Sequence, residues 1–258
     1  GRNIPYYKVK NINDKKIVEK IRSDKPDLII QVAWSQIISD EILRIPPKGV
    51  VGFHASLLPK YRGGSPVNWA IINGERKWGT TFYYIGSGLD DGDIIAQKEI
   101  EITFYDTCKT VYDKITKANI EILKEYLPLL EAGKAPRIPQ DESKATYVKR
   151  RKPEDGLIDW KKTAVEIYNW IRALTHPYPG AFTFYKGKKL LIWESRIQRF
   201  DGVYGMPGEI IEISKKGIEV STGKGSILIT SLQFEGENEL HMENFLDGLY
   251  FEVGDIFG

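Results

Sequence analysis

Five residues, Gly49-Val-Val-Gly-Phe53, make an apolar run too short for a helix, closed at once by His54 and the loop Ala55-Ser-Leu-Leu-Pro-Lys-Tyr-Arg-Gly-Gly64. A run of that length bounded by proline and glycine reads as a buried strand. A strand that delivers a histidine into an irregular loop bearing Lys60 and Arg62 is how an open α/β sheet presents a catalytic base at its carboxyl edge. A second apolar run, Thr80-Thr-Phe-Tyr-Tyr-Ile85, ends in Gly86-Ser-Gly-Leu-Asp-Asp-Gly-Asp93. It sets Asp90 36 positions after His54, where a carboxylate can orient the imidazole and favour its charged form. Together the two loops point to acyl-type transfer chemistry.

The rest of the amino-terminal half supplies a sheet to hold them. Periodicity predicts helices over 14–24, 40–43, 66–73 (opened by Pro66) and 107–132, with strands over 27–33, 49–54, 80–85 and 94–102. The long helix is capped by Asp106 or Thr107 and stopped by Gly133, with Val111, Ile115, Ile120, Ile122, Leu123, Leu127 and Leu130 as its buried stripe. Strands alternating with helices imply a parallel sheet with crossover helices. Residues 135–153, rich in proline and charge, read as a linker. Beyond it come a helix over 163–175 and five short strands between glycines, which suit a small barrel. The expected division is a catalytic domain over 1–134, a linker over 135–153 and a carboxyl-terminal domain over 154–258.

Composition removes several classes of function. Of the 258 residues 41% are hydrophobic and 28% charged, as in a globular protein, and no apolar stretch is long enough to span a bilayer. The single Cys108 cannot form an intrachain disulfide, no Cys/His group has metal-ligand spacing, and a reducing cytoplasmic setting follows as the expectation. No glycine-rich phosphate loop supports a nucleotide cofactor. Residues 1–150 carry 24 Lys and Arg against 19 Asp and Glu, and residues 151–258 carry 13 against 16. An acidic second half speaks against a broad phosphate-binding surface there.

Each candidate residue also has a plainer reading. His54 fits a strand-edge histidine satisfied by a backbone carbonyl as well as a base. Asp90, Asp91 and Asp93 fit an ordinary solvated turn. Lys60 and Arg62 suit an anionic substrate, Arg62 through a bidentate fork, or simply a soluble loop. The segment 32–38 either walls a ligand pocket or caps the sheet. Trp160, Trp170 and Trp193 read as core of the second domain.

The run His54-Ala-Ser-Leu-Leu-Pro-Lys-Tyr-Arg-Gly63, the later Leu89-Asp-Asp-Gly-Asp-Ile94 and their separation resemble the 10-formyltetrahydrofolate-dependent formyltransferases. The resemblance extends through Asp155-Gly-Leu-Ile-Asp-Trp160, His176-Pro-Tyr-Pro-Gly-Ala-Phe182, Pro207-Gly-Glu-Ile210 and Gly254-Asp-Ile256, which match the tRNA and sugar-nucleotide branches. It implies a Rossmann-like catalytic domain followed by an OB-like β-barrel, and attack of a primary amine on the formyl carbon of 10-formyltetrahydrofolate, with no metal. His54 corresponds to the catalytic histidine and Asp90 to the aspartate that polarises it and places a proton-carrying water. Ser35, Gln36, Ile37 and Ile38 correspond to the segment lining the pterin pocket, and Gly86, Ser87 and Gly88 to the loop closing over it. Ser56, Lys60 and Arg62 fall where the substrate is held.

Two departures stand out. The family carries an asparagine two residues before the histidine, donating to the developing oxyanion; here that position is Gly52, and loss of such a donor commonly costs on the order of 10²–10³ in rate. Gln36 or Ser35 on the neighbouring loop is expected to substitute, the alternative being a folate-binding homologue without turnover. The match also begins inside the family's amino-terminal domain, about two β-α units in, so that domain is expected to be incomplete here. For the acceptor, the acidic second half and the segment Gly63-Gly-Ser-Pro-Val-Asn-Trp-Ala70 favour an amino-sugar nucleotide, with initiator methionyl-tRNA as the alternative.

Overall fold

A computed structural model describes residues 4–34, 36–241 and 251–258. By contact density the chain divides into two compact units: one of Gly1–Gly63, Trp78–Ile100 and Ile115–Val148, the other of Gly64–Lys77, Glu101–Lys114 and Lys149–Gly258. In chain order the elements up to the second helix are α1 (Lys15–Asp24), β1 (Ile29–Gln31) and α2 (Asp40–Leu43). Then follow β2 (Val50–His54), β3 (Arg62–Gly63), α3 (Pro66–Ile72), β4 (Lys77–Tyr84), β5 (Ile94–Glu101), α4 (Cys108–Glu131) and β6 (Tyr147–Val148).

The first unit is built on a four-stranded sheet of order β1-β2-β4-β5. Val51 and Phe82 pack with Ile95, Ile122 and Leu130 on the α4 face, while Val50 packs with Val18, Ile38 and Ile42 on the α1 and α2 face. Central strands covered on both faces need apolar side chains at every position, which is why β2 and β4 lack alternation. The sheet is mixed rather than parallel: β1 runs parallel to β2, but β4 runs antiparallel to it. The expected crossover helix, α3, packs against the helix of the second unit instead of on the sheet, so nothing brings the chain back for a parallel return. On α4, Ile115, Ala118, Ile122 and Leu130 are buried at helical spacing, whereas Ile120 faces the other side and is 48% exposed.

Residues 138–148, inside the expected linker, are held in the first unit by a bridge from Ile138 to Ile94 and by β6, which pairs with β3. The second unit contains α5 (Ala164–Leu174), closed at its start by a reciprocal Thr163–Glu166 capping box. Its strands are β7 (Ala181–Tyr185), β8 (Lys188–Arg199), β9 (Ile210–Ser214), β10 (Gly217–Ser221), β11 (Ser226–Phe234) and β12 (Leu240–His241). They form an antiparallel sheet of order β7-β8-β11-β10-β9, with β12 on β11. The five expected glycine-bounded strands are all in this antiparallel sheet, lengthened at β8 and β11 and joined by one further strand.

Candidate active site

His54 ends β2 on the face shared by Val50 and Gly52, because side chains two apart along a strand point the same way. It is only 7% exposed. Its Nε2 donates to the Tyr61 carbonyl at 2.8 Å, and Nδ1 stands 3.5 Å from Asp90 Oδ2. With Nε2 committed as donor, Nδ1 of the neutral ring turns a lone pair toward a carboxylate. A proton placed on Nδ1 converts that opposition into a charge-assisted contact. The plain reading of His54 holds and leaves the chemical one open to it: a backbone carbonyl fixes the ring, and the fixed ring faces a carboxylate.

Asp90 is held just as firmly. Its Oδ1 accepts from the Tyr83 hydroxyl at 2.7 Å and its Oδ2 from the Gly63 N–H at 2.8 Å. Burial, and then the neighbouring Asp90, push the Tyr83 phenol far above its ordinary pKa, so it remains a donor. Asp90 sits at φ 53°, a left-handed conformation that a non-glycine residue keeps only where its surroundings dictate it. The loop before it is closed around Asp91. A Cβ on Gly86 would lie 2.3 Å, and one on Gly88 2.1 Å, from the Asp91 carboxylate, so a side chain at either would displace it. Gly86 is half-buried and Ser87 and Gly88 are exposed, leaving the outer face of that loop open.

Of the three residues assigned to substrate, the structure leaves Lys60 in solvent and buries the other two. Ser56 is fully buried and donates to the Lys60 carbonyl at 2.6 Å. Arg62 is 1% exposed, with its fork on Glu142 at 2.6 and 2.9 Å, two contacts to Gln140 Oε1 and one to the Tyr147 hydroxyl. Glu142 raises the guanidinium pKa further, so the charge is permanent. Every donor direction of Arg62 is occupied within the protein. Its side chain anchors β3, whose Gly63 N–H reaches Asp90, while Gln140 Nε2 donates to the carbonyls of Asp90 and Gly92 at 2.8 Å each.

The loop after β1 is put together differently. Ser35 lies outside the described residues. Gln36 accepts from the Ile12 N–H and donates to the Lys10 carbonyl, so the expected substitute donor has both ends of its amide in use. Ile38 is buried with Val18, Ile42 and Val50, and Ile37 is 70% exposed. The amide nearest the bare position is Gln31, directly opposite Gly52 in the β1–β2 register. A Cβ built on Gly52 would fall 2.4 Å from Gln31 Oε1.

Sequence reasoning overlooked Gln31, Tyr83, Gln140, Glu142 and Tyr147. Gln31 had a signal, a lone amide inside the apolar run Leu28-Ile-Ile-Gln-Val-Ala33. The partners of Arg62 had none, since they lie 78 to 85 positions away. Among the described residues no group of His, Cys, Asp and Glu is placed to hold a metal, and no helix is long and apolar enough to cross a membrane. A neutral amide on β1, a histidine–carboxylate pair and an open glycine loop that leaves β4 beside the start of β2 are a donor set suited to a formyl group on an uncharged folate ring system.

The sequence pattern described as formyl transferase matches residues 3–127, and that described as formyl transferase, C-terminal domain, matches residues 150–250. Over 258 residues the chain is 40% identical to the methionyl-tRNA formyltransferase of Alkaliphilus oremlandii, covering all of this chain and 83% of that protein. A solved methionyl-tRNA formyltransferase from Clostridium thermocellum superposes with a TM-score of 0.62 at 29% identity, over 74% of this chain and 80% of its own. An N-formyltransferase from Helicobacter canadensis, in complex with folinic acid and dTDP-3-aminofucose, superposes with a TM-score of 0.63 at 22% identity, over 78% and 72% of the two chains. The chain is thus a formyltransferase that draws its one-carbon unit from 10-formyltetrahydrofolate, and it belongs to the formyl transferase family.

Proposed function

We propose that this chain transfers the formyl group of 10-formyltetrahydrofolate to the amino group of methionine carried on initiator tRNA. The observation that carries this choice of acceptor is the 40% identity, along its whole length, to a methionyl-tRNA formyltransferase. The amino-sugar nucleotide favoured by the sequence has support only from structures such as the 22%-identical one, a likeness of fold. The charge count behind that preference divided the chain at residue 150, through the middle of the run Lys149-Arg150-Arg151-Lys152. Three of these cations are exposed, while Arg151 stacks over Trp69 and Trp170 at 4.9 and 4.4 Å. A net charge for half a chain says little about a local patch that meets phosphates.

In this reading the amine nitrogen bonds to the formyl carbon, the bond from that carbon to the folate N10 breaks, and the proton lost by the amine ends on N10. His54 takes and returns that proton, and Asp90 stabilises the charged imidazole while it is held. Gly86, Ser87 and Gly88 offer backbone groups to the pterin, with Ser35, Gln36, Ile37 and Ile38 as the opposite wall. Lys60 reaches toward an anionic part of the substrate, whereas Ser56 and Arg62 keep the His54 loop and β3 in place. We retain the division into a catalytic part up to 134, a connecting segment over 135–153 and an acceptor-binding part from 154 as part of the proposal, along with the cytoplasmic setting that a charged tRNA requires.

Formyl transfer measured with charged initiator tRNA and with a dTDP-amino sugar decides the acceptor. Turnover on tRNA that falls steeply with added salt is the expected result. Turnover on the sugar nucleotide alone would return the acceptor to the second reading, and folate binding with turnover on neither would leave a non-catalytic folate-binding homologue.

A further inference from the structure

We infer that the Gln31 side-chain amide is a catalytic residue of this enzyme, donating to the formyl oxygen as it becomes an oxyanion; the inference rests on the formyl-transfer reading but not on which acceptor is used. In the parallel β1–β2 pair, Ile29, Ile30 and Gln31 register with Val50, Val51 and Gly52. Ile29 and Val50 pack on the face that α1 and α2 cover, so Gln31, two further along β1, shares its face with Gly52 and His54. The amide fills the volume that a side chain on Gly52 would need, since a Cβ there would meet Gln31 Oε1 at 2.4 Å and Ile85 Cδ1 at 2.9 Å. One step of the pleat separates Gly52 from His54, roughly 6–7 Å along the strand.

The donor is available. Gln31 Nε2 carries two hydrogens and, among the described residues, makes one hydrogen bond, to the Trp34 carbonyl at 3.1 Å. That bond leaves the second N–H uncommitted; Oε1 is the amide atom nearest Gly52, so donation there requires the amide to turn about its terminal bond and release Trp34. Gln97 donates to Leu58 and Thr81 and Gln140 to Asp90 and Gly92, so neither has an N–H left; Gln36 donates once, to Lys10, but stands on the loop five residues beyond the Gly52 register. Neutrality matters as well. A lysine here would compete with His54 for Asp90, and a carboxylate would repel the oxyanion. As the amine adds, the carbonyl π pair moves onto oxygen and is received by the Gln31 N–H. As the C–N10 bond breaks, the pair returns to re-form the carbonyl and N10 takes the proton that His54 carried.

The experiment compares the intact chain with Gln31→Ala, Gly52→Asn and the double variant Gln31→Ala/Gly52→Asn. It reads formyl transfer to tRNA, to the amino sugar and to hydroxylamine, together with affinity for 5-formyltetrahydrofolate. Gln31→Ala is expected to lower kcat by about 10²–10³ with the best acceptor while folate affinity stays within about threefold. Gly52→Asn alone drives two amides into one space and loses stability. The double variant carries one amide again, now from β2, and recovers at least about tenfold of the lost kcat. An active parent with Gln31→Ala within about twofold in kcat overturns the role of Gln31 alone, as does a loss wholly accounted for by weaker folate binding. A parent inactive with all three acceptors overturns the formyl-transfer reading itself, and Gln31 with it.

Discussion

Two loops leave the same sheet edge one strand apart, and they are made in opposite ways. After β2, residues 55–63 are tied down almost atom by atom. Trp78 Nε1 donates to the Ala55 carbonyl, Thr81 to Ser56, Gln97 to Leu58, Ser56 to Lys60, and Arg62 is clamped by Glu142 and Gln140. After β1, Val32 is 63%, Trp34 39% and Ile37 70% exposed, and the hold comes from Gln31 on the Trp34 carbonyl, from Gln36 and from Asn13 on the Ile37 carbonyl. The difference divides the labour of the site. A residue that moves a proton must be fixed within a fraction of an ångström. A wall that receives a flat apolar ligand needs exposed apolar surface more than it needs rigidity.

The largest effect expected from this contrast is at His54. His54→Ala should lower kcat by about 10²–10⁴ with the near-ultraviolet circular dichroism unchanged; a fall of less than about tenfold would remove the proton-transfer role and reduce the β2 loop to scaffolding. Asp90→Asn keeps one acceptor oxygen for either Tyr83 or Gly63, puts an NH2 at the other and removes the charge facing Nδ1. About 10² in kcat should be lost with little change in KM, whereas a pure KM effect would move Asp90 to substrate binding. Arg62→Ala tests the clamp. Deleting a fully buried guanidinium with five internal contacts should cost about 2–4 kcal/mol in urea unfolding and lower kcat through the Gly63–Asp90 link. Arg62→Lys should recover only part of both, because an ammonium cannot reproduce the fork. A stable Arg62→Ala that loses only substrate affinity would show that the guanidinium serves the ligand after all. The smallest effect is expected in the open loop: Gln36→Ala gives up two part-exposed hydrogen bonds, about 1 kcal/mol, and should raise KM for folate with kcat unaltered.

What the residues disclosed beforehand follows the same division. His54 and Asp90 could be paired from sequence because each follows an apolar run, but the reason differs from the expected one: β4 is antiparallel to β2 and ends beside Val51, and Asp90 meets His54 because the loop after β4 folds back to Tyr83 and Gly63. The role of Arg62 was hidden because an arginine in a loop of glycines and prolines looks solvent-facing, and the carboxylate that buries it is 80 positions away. The direction of β4 was hidden for a related reason. A seven-residue helix between two strands reads as a crossover until its contacts show which unit it serves. Residues 135–153 have the composition of a linker, yet the segment from Ile138 to Val148 carries the bridge to Ile94, the Gln140 and Glu142 contacts and a strand. Composition reports solvation, and this stretch is both solvated and tightly bonded. Gly52 was read as a missing donor; its register partner shows the space to be filled from the next strand.

The pairing of β3 with β6 also sets an order of events during synthesis. His54, Arg62 and Asp90 are all made well before Gln140, Glu142 and Tyr147, the residues that lock them, because those contacts span 50 to 85 positions. A growing chain must close a loop of that size before the histidine and the carboxylate are held in register, and such long-range closures come late. A nascent chain that has emerged only as far as the end of α4 therefore carries every atom of the His54–Asp90 pair without the brace that aligns them. The pair is braced only by the last stretch of the first unit, which has the composition of a spacer and works as a latch.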